Sequence, residues 1–196
     1  MPNWCSNSIE ISGETEKIDR IRTILSLRED NDDMFFKPLL GQTDDENWYD
    51  DNINNLGTKW DVSVSKDNFY TESEDEIGFN CESAWSPPVA GMVNVCKKYG
   101  VSCIISYEEP GNDFYGRTKM DSSGILSEED YEYREGKYRL DPDYFWESCE
   151  FDIEWDVVDL DDTYSVDDLI KDTYSFLDED DKVEMKRLIV EHLGEE

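Results

Sequence analysis

A net charge of −32 on 196 residues, from 50 Asp and Glu against 18 Lys and Arg, is a self-repulsion that a folding chain must overcome with buried apolar area. Acidic chains poor in aromatics fail to do so and stay disordered. This one carries 6 Trp, 11 Tyr and 8 Phe, enough large rings to build and wedge a core. It therefore reads as folded, and its length suits one enlarged domain or a domain with a substantial appendage. The same charge narrows the partners. It repels nucleic acid, anionic membrane and acidic substrates and speeds encounter with basic surfaces, including those of proteins that handle nucleic acid.

The apolar pattern separates strands from helices. Cys5, Ile9 and Ile11 alternate in a half-buried strand ending at Ser12, and Ile18, Ile21 and Leu25 repeat helically between Glu14 and Leu27. Residues 29–57 read as an acidic loop in which Phe35, Phe36, Leu39 and Leu40 tuck one segment against the core. Trp60, Val62 and Val64, then Ile77, Phe79 and Cys81, alternate as two strands of a long hairpin. In SPPVAGMVNVCKKYG, Ser86 is placed as an N-cap, with Val89, Met92, Val93 and Cys96 as the apolar stripe and Gly100 as the stop. Val101 to Tyr107 forms the next strand, EEPGND a turn, and Tyr115–Met120 a further strand. The order strand, helix, strand, strand, helix, strand predicts an α+β, ferredoxin-like antiparallel sheet with two helices on one face.

Composition changes after residue 120. Residues 121–196 hold 27 acidic and 7 basic side chains, against 23 and 11 in residues 1–120. The expected division is a ferredoxin-like domain over 1–120 and an acidic extension over 121–196 packed on it. FDIEWDVV predicts a strand there, followed by two helices: Ser165 and Asp168 form a capping box, and Met185, Leu188, Ile189 and Leu193 repeat helically.

Four motifs run in order through the first part: MPNWC-N at Met1–Asn7, GTKWD at Gly57–Asp61, SAWSPP at Ser83–Pro88 and YEEPG at Tyr107–Gly111. Together they resemble the YubB-type ferredoxin-like family of phage and plasmid proteins. The resemblance implies a ferredoxin-like fold and a mobile-element origin, and it brings no catalytic residues. The acidic extension lies outside it. On their own chemistry the same motifs read as turns and caps, with Trp85 at a strand end and Glu109, Pro110 and Gly111 in a turn.

Most catalytic designs lack their residues. His192 is the only histidine and sits near a predicted helix C-terminus, where a cation complements the dipole. Neither G-x-x-x-x-G-K-[ST] nor G-x-G-x-x-G occurs, so no cofactor is expected. Asp159, Asp161 and Asp162 begin like a calcium loop whose glycine and glutamate do not follow. Asp121, Glu135 and Lys137 fit a nuclease-like pattern that 50 acids generate by coincidence. Lys97 and Lys98 form only a helix-end pair. The five cysteines have no CxxC spacing and read as buried thiols. With no apolar run of membrane length and no signal-like N-terminus, the expected place is the host cytoplasm.

The leading expectation is a non-enzymatic phage or plasmid inhibitor, an acidic DNA mimic that occupies a host nucleic-acid-binding defence protein. Asp152, Glu154 and Asp156 would alternate outward from a strand whose Phe151, Ile153 and Trp155 face the core. Their spacing of roughly 6.6 Å is about two nucleotide steps. Asp159, Asp161, Asp162, Asp167, Asp168, Asp172, Asp178, Glu179, Asp180, Asp181 and Glu184 would extend the stripe. The alternatives are an interaction module that blocks or scaffolds a defence complex without mimicry, and a metal-dependent hydrolase.

Overall fold

The computed structural model describes residues 3–29, 33–41, 46–70, 73–160 and 164–194. It divides into two compact units, Met1–Tyr133 and Arg134–Glu196.

Unit 1 is built on β1 (Trp4–Ser12), β2 (Glu76–Ala84), β3 (Ser102–Glu109), β4 (Phe114–Asp121) and β5 (Gly124–Tyr131). These form one sheet in the order β2-β1-β3-β4-β5, every neighbouring pair antiparallel. Because β2 and β3 both run against β1, they are parallel to each other with β1 between them. This is the split βαβ unit, crossed by α4 (Val89–Tyr99). With α1 (Thr15–Ser26), the α+β, ferredoxin-like expectation holds.

One face of the sheet holds Cys5, Ile9, Ile11, Phe79, Cys103 and Ile105. They pack with Ile18 and Ile21 of α1 and with Met92, Val95 and Cys96 of α4 in a single core. The period-2 and period-3.6 patterns therefore point at the same interior. Gly100, at φ 71°, ends α4 in the left-handed conformation that favours glycine. Ser86 is not the N-cap of α4. Pro88 takes that position, and the Ser86 hydroxyl donates instead to the Gly57 carbonyl, 2.7 Å away.

Two expectations for unit 1 fail for one reason. Residues 29–57 contain α2 (Phe36–Leu40) and α3 (Trp48–Leu56), and residues 60–64 are not a strand. Val62 and Val64 are fully buried, as their alternation requires, but among the described residues only the bridge Met34↔Ser63 links this segment in sheet fashion. Side chains satisfy its surroundings in place of a ladder. The Asp61 carboxylate accepts the backbone N–H groups of Phe35, Phe36 and Lys37, and the Arg28 guanidinium donates to the Val64 carbonyl at 2.9 Å. Beyond β2, pairing shrinks to the bridge Tyr70↔Gly78, where the Tyr70 ring lies so close that any Cβ on Gly78 would strike it. The sheet grows on the opposite side through β5, a strand the sequence reading did not include.

Unit 2 is helical: α5 (Tyr133–Leu140), α6 (Pro142–Asp156), a 3-10 turn (Val157–Asp159), α7 (Val166–Thr173) and α8 (Glu179–Gly194). Its core is Phe145, Cys149, Ile153, Leu169, Ile170, Tyr174, Leu177, Met185 and Ile189. The Ser165–Asp168 capping box forms as expected. The predicted strand FDIEWDVV does not form, because those residues are the last turns of α6 and the 3-10 turn. The controlling pattern starts earlier. Phe145, Cys149 and Ile153 recur every fourth residue, and Asp141 and Pro142 supply an N-cap and first turn.

Candidate interaction surface

Helical geometry redistributes the acids proposed as partner contacts. Asp152 and Asp156 lie on the inward side of α6. The Lys137 ammonium, 2% exposed, is 3.5 Å from Asp152. Asp156 receives both terminal nitrogens of Arg134, at 2.6 and 2.8 Å, and the Tyr174 hydroxyl. Burial opposes the Arg134 charge, yet its bonded Asp156 carboxylate raises the guanidinium pKa above its ordinary value. Burial, reinforced by the same carboxylate, raises the Tyr174 phenol. Asp152 and Asp156 are thus structural ion-pair partners and not members of an outward stripe.

Most of the other acids have local work. Asp168 completes the capping box, and Asp167 pairs with Lys186. The Asp178 carboxylate accepts the Asp181 N–H at 2.9 Å, while Asp181 accepts the Tyr138 hydroxyl at 2.6 Å. Glu179 pairs with Lys182 and Glu184 with Arg187. Glu154, Asp172 and Asp180 are exposed. Asp161, Asp162 and the side chain of Asp159 lie outside the described residues. Asp121 bonds Ser123, Glu135 pairs with Arg139 and Lys137 with Asp152, so each residue of the nuclease-like pattern is held by other partners. Among the described residues, no group of three or more His, Cys, Asp or Glu is arranged to hold a metal ion. All five cysteines are buried free thiols, and burial pushes those of Cys5, Cys81 and Cys149 up to about 12.

The outward face of α6 replaces the expected strand. Phe151 and Trp155, assigned to the core by alternation, are each 65% exposed and touch in a T-shaped pair with centroids 6.4 Å apart. With Tyr144 they share this face with Asp143, Glu147, Glu150 and Glu154, all exposed. The carboxylates recur at intervals of four, three and four residues. At about 1.5 Å rise per residue they are about 6, 4.5 and 6 Å apart along the axis. Only Glu154 had been singled out from sequence; reading residues 143–154 with a helical period would have found the other three. Beside this face, α6 and α8 enclose a groove of about 450 Å³. Ile153, Phe151 and Leu188 line it together with Glu150, Glu154, Glu191 and His192. Such a groove offers apolar contact to an aliphatic stem and carboxylates to its cationic head.

In unit 1 the four sequence motifs meet. Asn7 donates to the Ser83 hydroxyl at 2.9 Å, Ser83 to the Ser86 carbonyl at 2.7 Å, and Thr58 to the Ala84 carbonyl at 3.1 Å. Asn3 reaches Glu109 of the fourth motif at 3.5 Å. This network presents three partly exposed indoles, those of Trp4, Trp60 and Trp85. Trp4 and Trp60 lie 5.9 Å apart, and the Lys59 ammonium sits 4.4 Å from the Trp60 ring and 5.1 Å from that of Trp85. Trp85 has φ 69°, an outlier for a bulky side chain. The turn at Glu109–Gly111 forms as expected and the Ser86 cap does not, while the motifs together aim three aromatic rings at solvent.

Among known proteins, residues 59–144 match the family model described as the ferredoxin-like domain in Api92-like protein. That span covers the last three motifs from Lys59 onward. A crystal structure of the protein api92 from Yersinia pseudotuberculosis is similar at 10% identity and a TM-score of 0.49, covering 67% of this chain and 98% of that one. None of the curated proteins matches the chain. Among the described residues, no helix is long and apolar enough to cross a membrane.

Proposed function

We propose that the chain is a non-enzymatic interaction module that captures a basic partner on the outward face of α6 and in the groove between α6 and α8. The observation that carries this reading is the exposed Phe151–Trp155 pair set among Asp143, Glu147, Glu150 and Glu154. Aromatic anchors supply contact energy at interface centres, and surrounding charge supplies steering and register. Among the described residues of unit 2, six of the seven Lys and Arg side chains pair with acids of the same unit, Lys171 being the exception. The field this leaves is negative and open to an incoming cation. In this proposal the partner is the nucleic-acid-binding surface of a host defence protein, and the chain is a phage- or plasmid-borne inhibitor acting in the host cytoplasm.

A second reading, DNA mimicry, moves from the lost strand to the four-carboxylate ridge of α6, whose steps of about 4.5 to 6 Å are of the order of phosphate spacing. Pull-down from host lysate at low and high salt, followed by DNA competition, separates the two. For the module, Phe151→Ala with Trp155→Ala lowers affinity by more than about tenfold, while Glu147→Gln, Glu150→Gln and Glu154→Gln mainly slow association. For the mimic, the carboxylate substitutions dominate and DNA displaces the partner. A partner whose affinity neither set changes excludes this face as the binding site.

A further inference from the structure

The face of the unit 1 sheet opposite α1 and α4 contains a hollow of about 420 Å³. Its origin is in the register. Ser6 on β1 lies opposite Glu82 on β2 and also opposite Glu108 on β3, so two carboxylates flank one serine in a row across three strands. In the adjoining row Ser8 lies opposite Ser106. Three small hydroxyls thus floor a space that larger side chains would fill. Neighbouring strands are about 4.8 Å apart, which puts the Cα atoms of Glu82 and Glu108 about 10 Å from each other.

Oε2 of Glu108 is buried and has no hydrogen-bond partner. Buried polar atoms in folded proteins nearly always have one, so this oxygen calls for a donor brought from outside. The nearby Arg117 side chain directs its Nε to the Ser106 hydroxyl, 3.2 Å away. Glu82 also borders a second hollow of about 270 Å³, walled by Trp4 and Trp60. The Lys59 ammonium against Trp60 demonstrates that this aromatic cluster accepts a cation. One continuous surface therefore offers a buried anionic acceptor, a second carboxylate and an indole wall. The net charge of −32 disfavours any anionic ligand.

We propose that this hollow binds a linear alkylammonium, with one ammonium donating to Glu108 Oε2, the methylene chain crossing Ser6, and a second ammonium near Glu82 and the Trp4 ring. The site lies wholly in unit 1 and is independent of the function proposed for α6. Its ligand is a free diamine or polyamine, because a lysine side chain carries only one of the two ammonium groups this geometry takes.

Calorimetric titration of the full chain with putrescine, spermidine and butylamine tests the proposal. Salt of about 0.15 M screens diffuse attraction to the acidic surface. One saturable site per chain is expected, weakened about tenfold or more by Glu108→Gln and by Ser6→Val, which fills the floor, and unchanged by Glu16→Gln on the exposed surface of α1. Circular dichroism of each variant confirms its fold. Diamines should bind at least about tenfold tighter than butylamine, and equal affinities would overturn the second ammonium position at Glu82 and Trp4. No saturable binding, or binding that neither Glu108→Gln nor Ser6→Val weakens, overturns the site.

Discussion

Replacing Asp156 with alanine separates an acid displayed to a partner from an acid that holds the fold. The Asp156 side chain is 12% exposed and that of Arg134 26%. Its removal leaves the Arg134 guanidinium without its bidentate acceptor and the Tyr174 hydroxyl, on a residue 1% exposed, without its recorded carboxylate partner. Breaking a fully buried ion pair from one side costs about 3–5 kcal/mol, and partial exposure of Arg134 reduces this to about 2–4 kcal/mol. A displayed surface acid would change stability by less than about 0.5 kcal/mol. Urea unfolding followed by far-UV circular dichroism reads the difference, because unit 2 is helical and its four α-helices carry more than half of the described helical residues. The midpoint should fall with little change in slope. Tyr174→Phe alone should cost about 1 kcal/mol and be non-additive with Asp156→Ala, since both remove the same hydrogen bond. A loss under about 0.5 kcal/mol, additive with Tyr174→Phe, would refute the structural role and return Asp156 to the surface stripe.

Two further outcomes follow from buried polar groups. Asp61→Ala removes the acceptor for the N–H groups of Phe36 and Lys37, while the Phe35 N–H keeps the Val62 carbonyl. A loss of about 2–4 kcal/mol is expected in thermal or urea unfolding, with Asp61→Asn intermediate. Alkaline titration is the second test. The phenols of Tyr174 and Tyr138 are raised from 10, the first by burial and then Asp156, the second to about 12 by its hydrogen bond to Asp181. A folded-state pKa above the unfolded value means stability complete below pH 10 and lost as pH rises through the folded values. Helical signal should therefore weaken between pH 10 and about 12, and Tyr174→Phe should shrink that pH dependence; an unchanged profile would contradict the assignment.

Period and punctuation made much of unit 1 legible. Cys5, Ile9 and Ile11 had to share a sheet face, Ile18, Ile21 and Leu25 a helix face, and Gly100 had to stop α4, because each pattern reports local geometry. Ambiguity arose where a short window fits two periods. Phe151, Ile153 and Trp155 alternate, but the longer series Phe145, Cys149 and Ile153 is helical and controls what is buried. Residues 60–64 alternate, with Val62 and Val64 buried as in a strand, yet pairing among the described residues stops at one bridge: Arg28 takes the Val64 carbonyl and the Asp61 carboxylate takes the N–H groups that open α2, partners about 25 to 36 residues apart in sequence.

By itself, then, the sequence determined that this acidic chain folds, that its core is an antiparallel sheet with helices on one face, and that its excess charge lies mainly after residue 120. Composition and periodicity act locally or sum over the chain, so they survive without coordinates. Tertiary structure alone decided which acids face outward, that Asp152 and Asp156 neutralise Lys137 and Arg134, that Trp4, Trp60 and Trp85 converge, and that Glu82 and Glu108 flank Ser6. Those outcomes depend on strand register and helix rotation, where a shift of one residue turns a side chain from solvent to core.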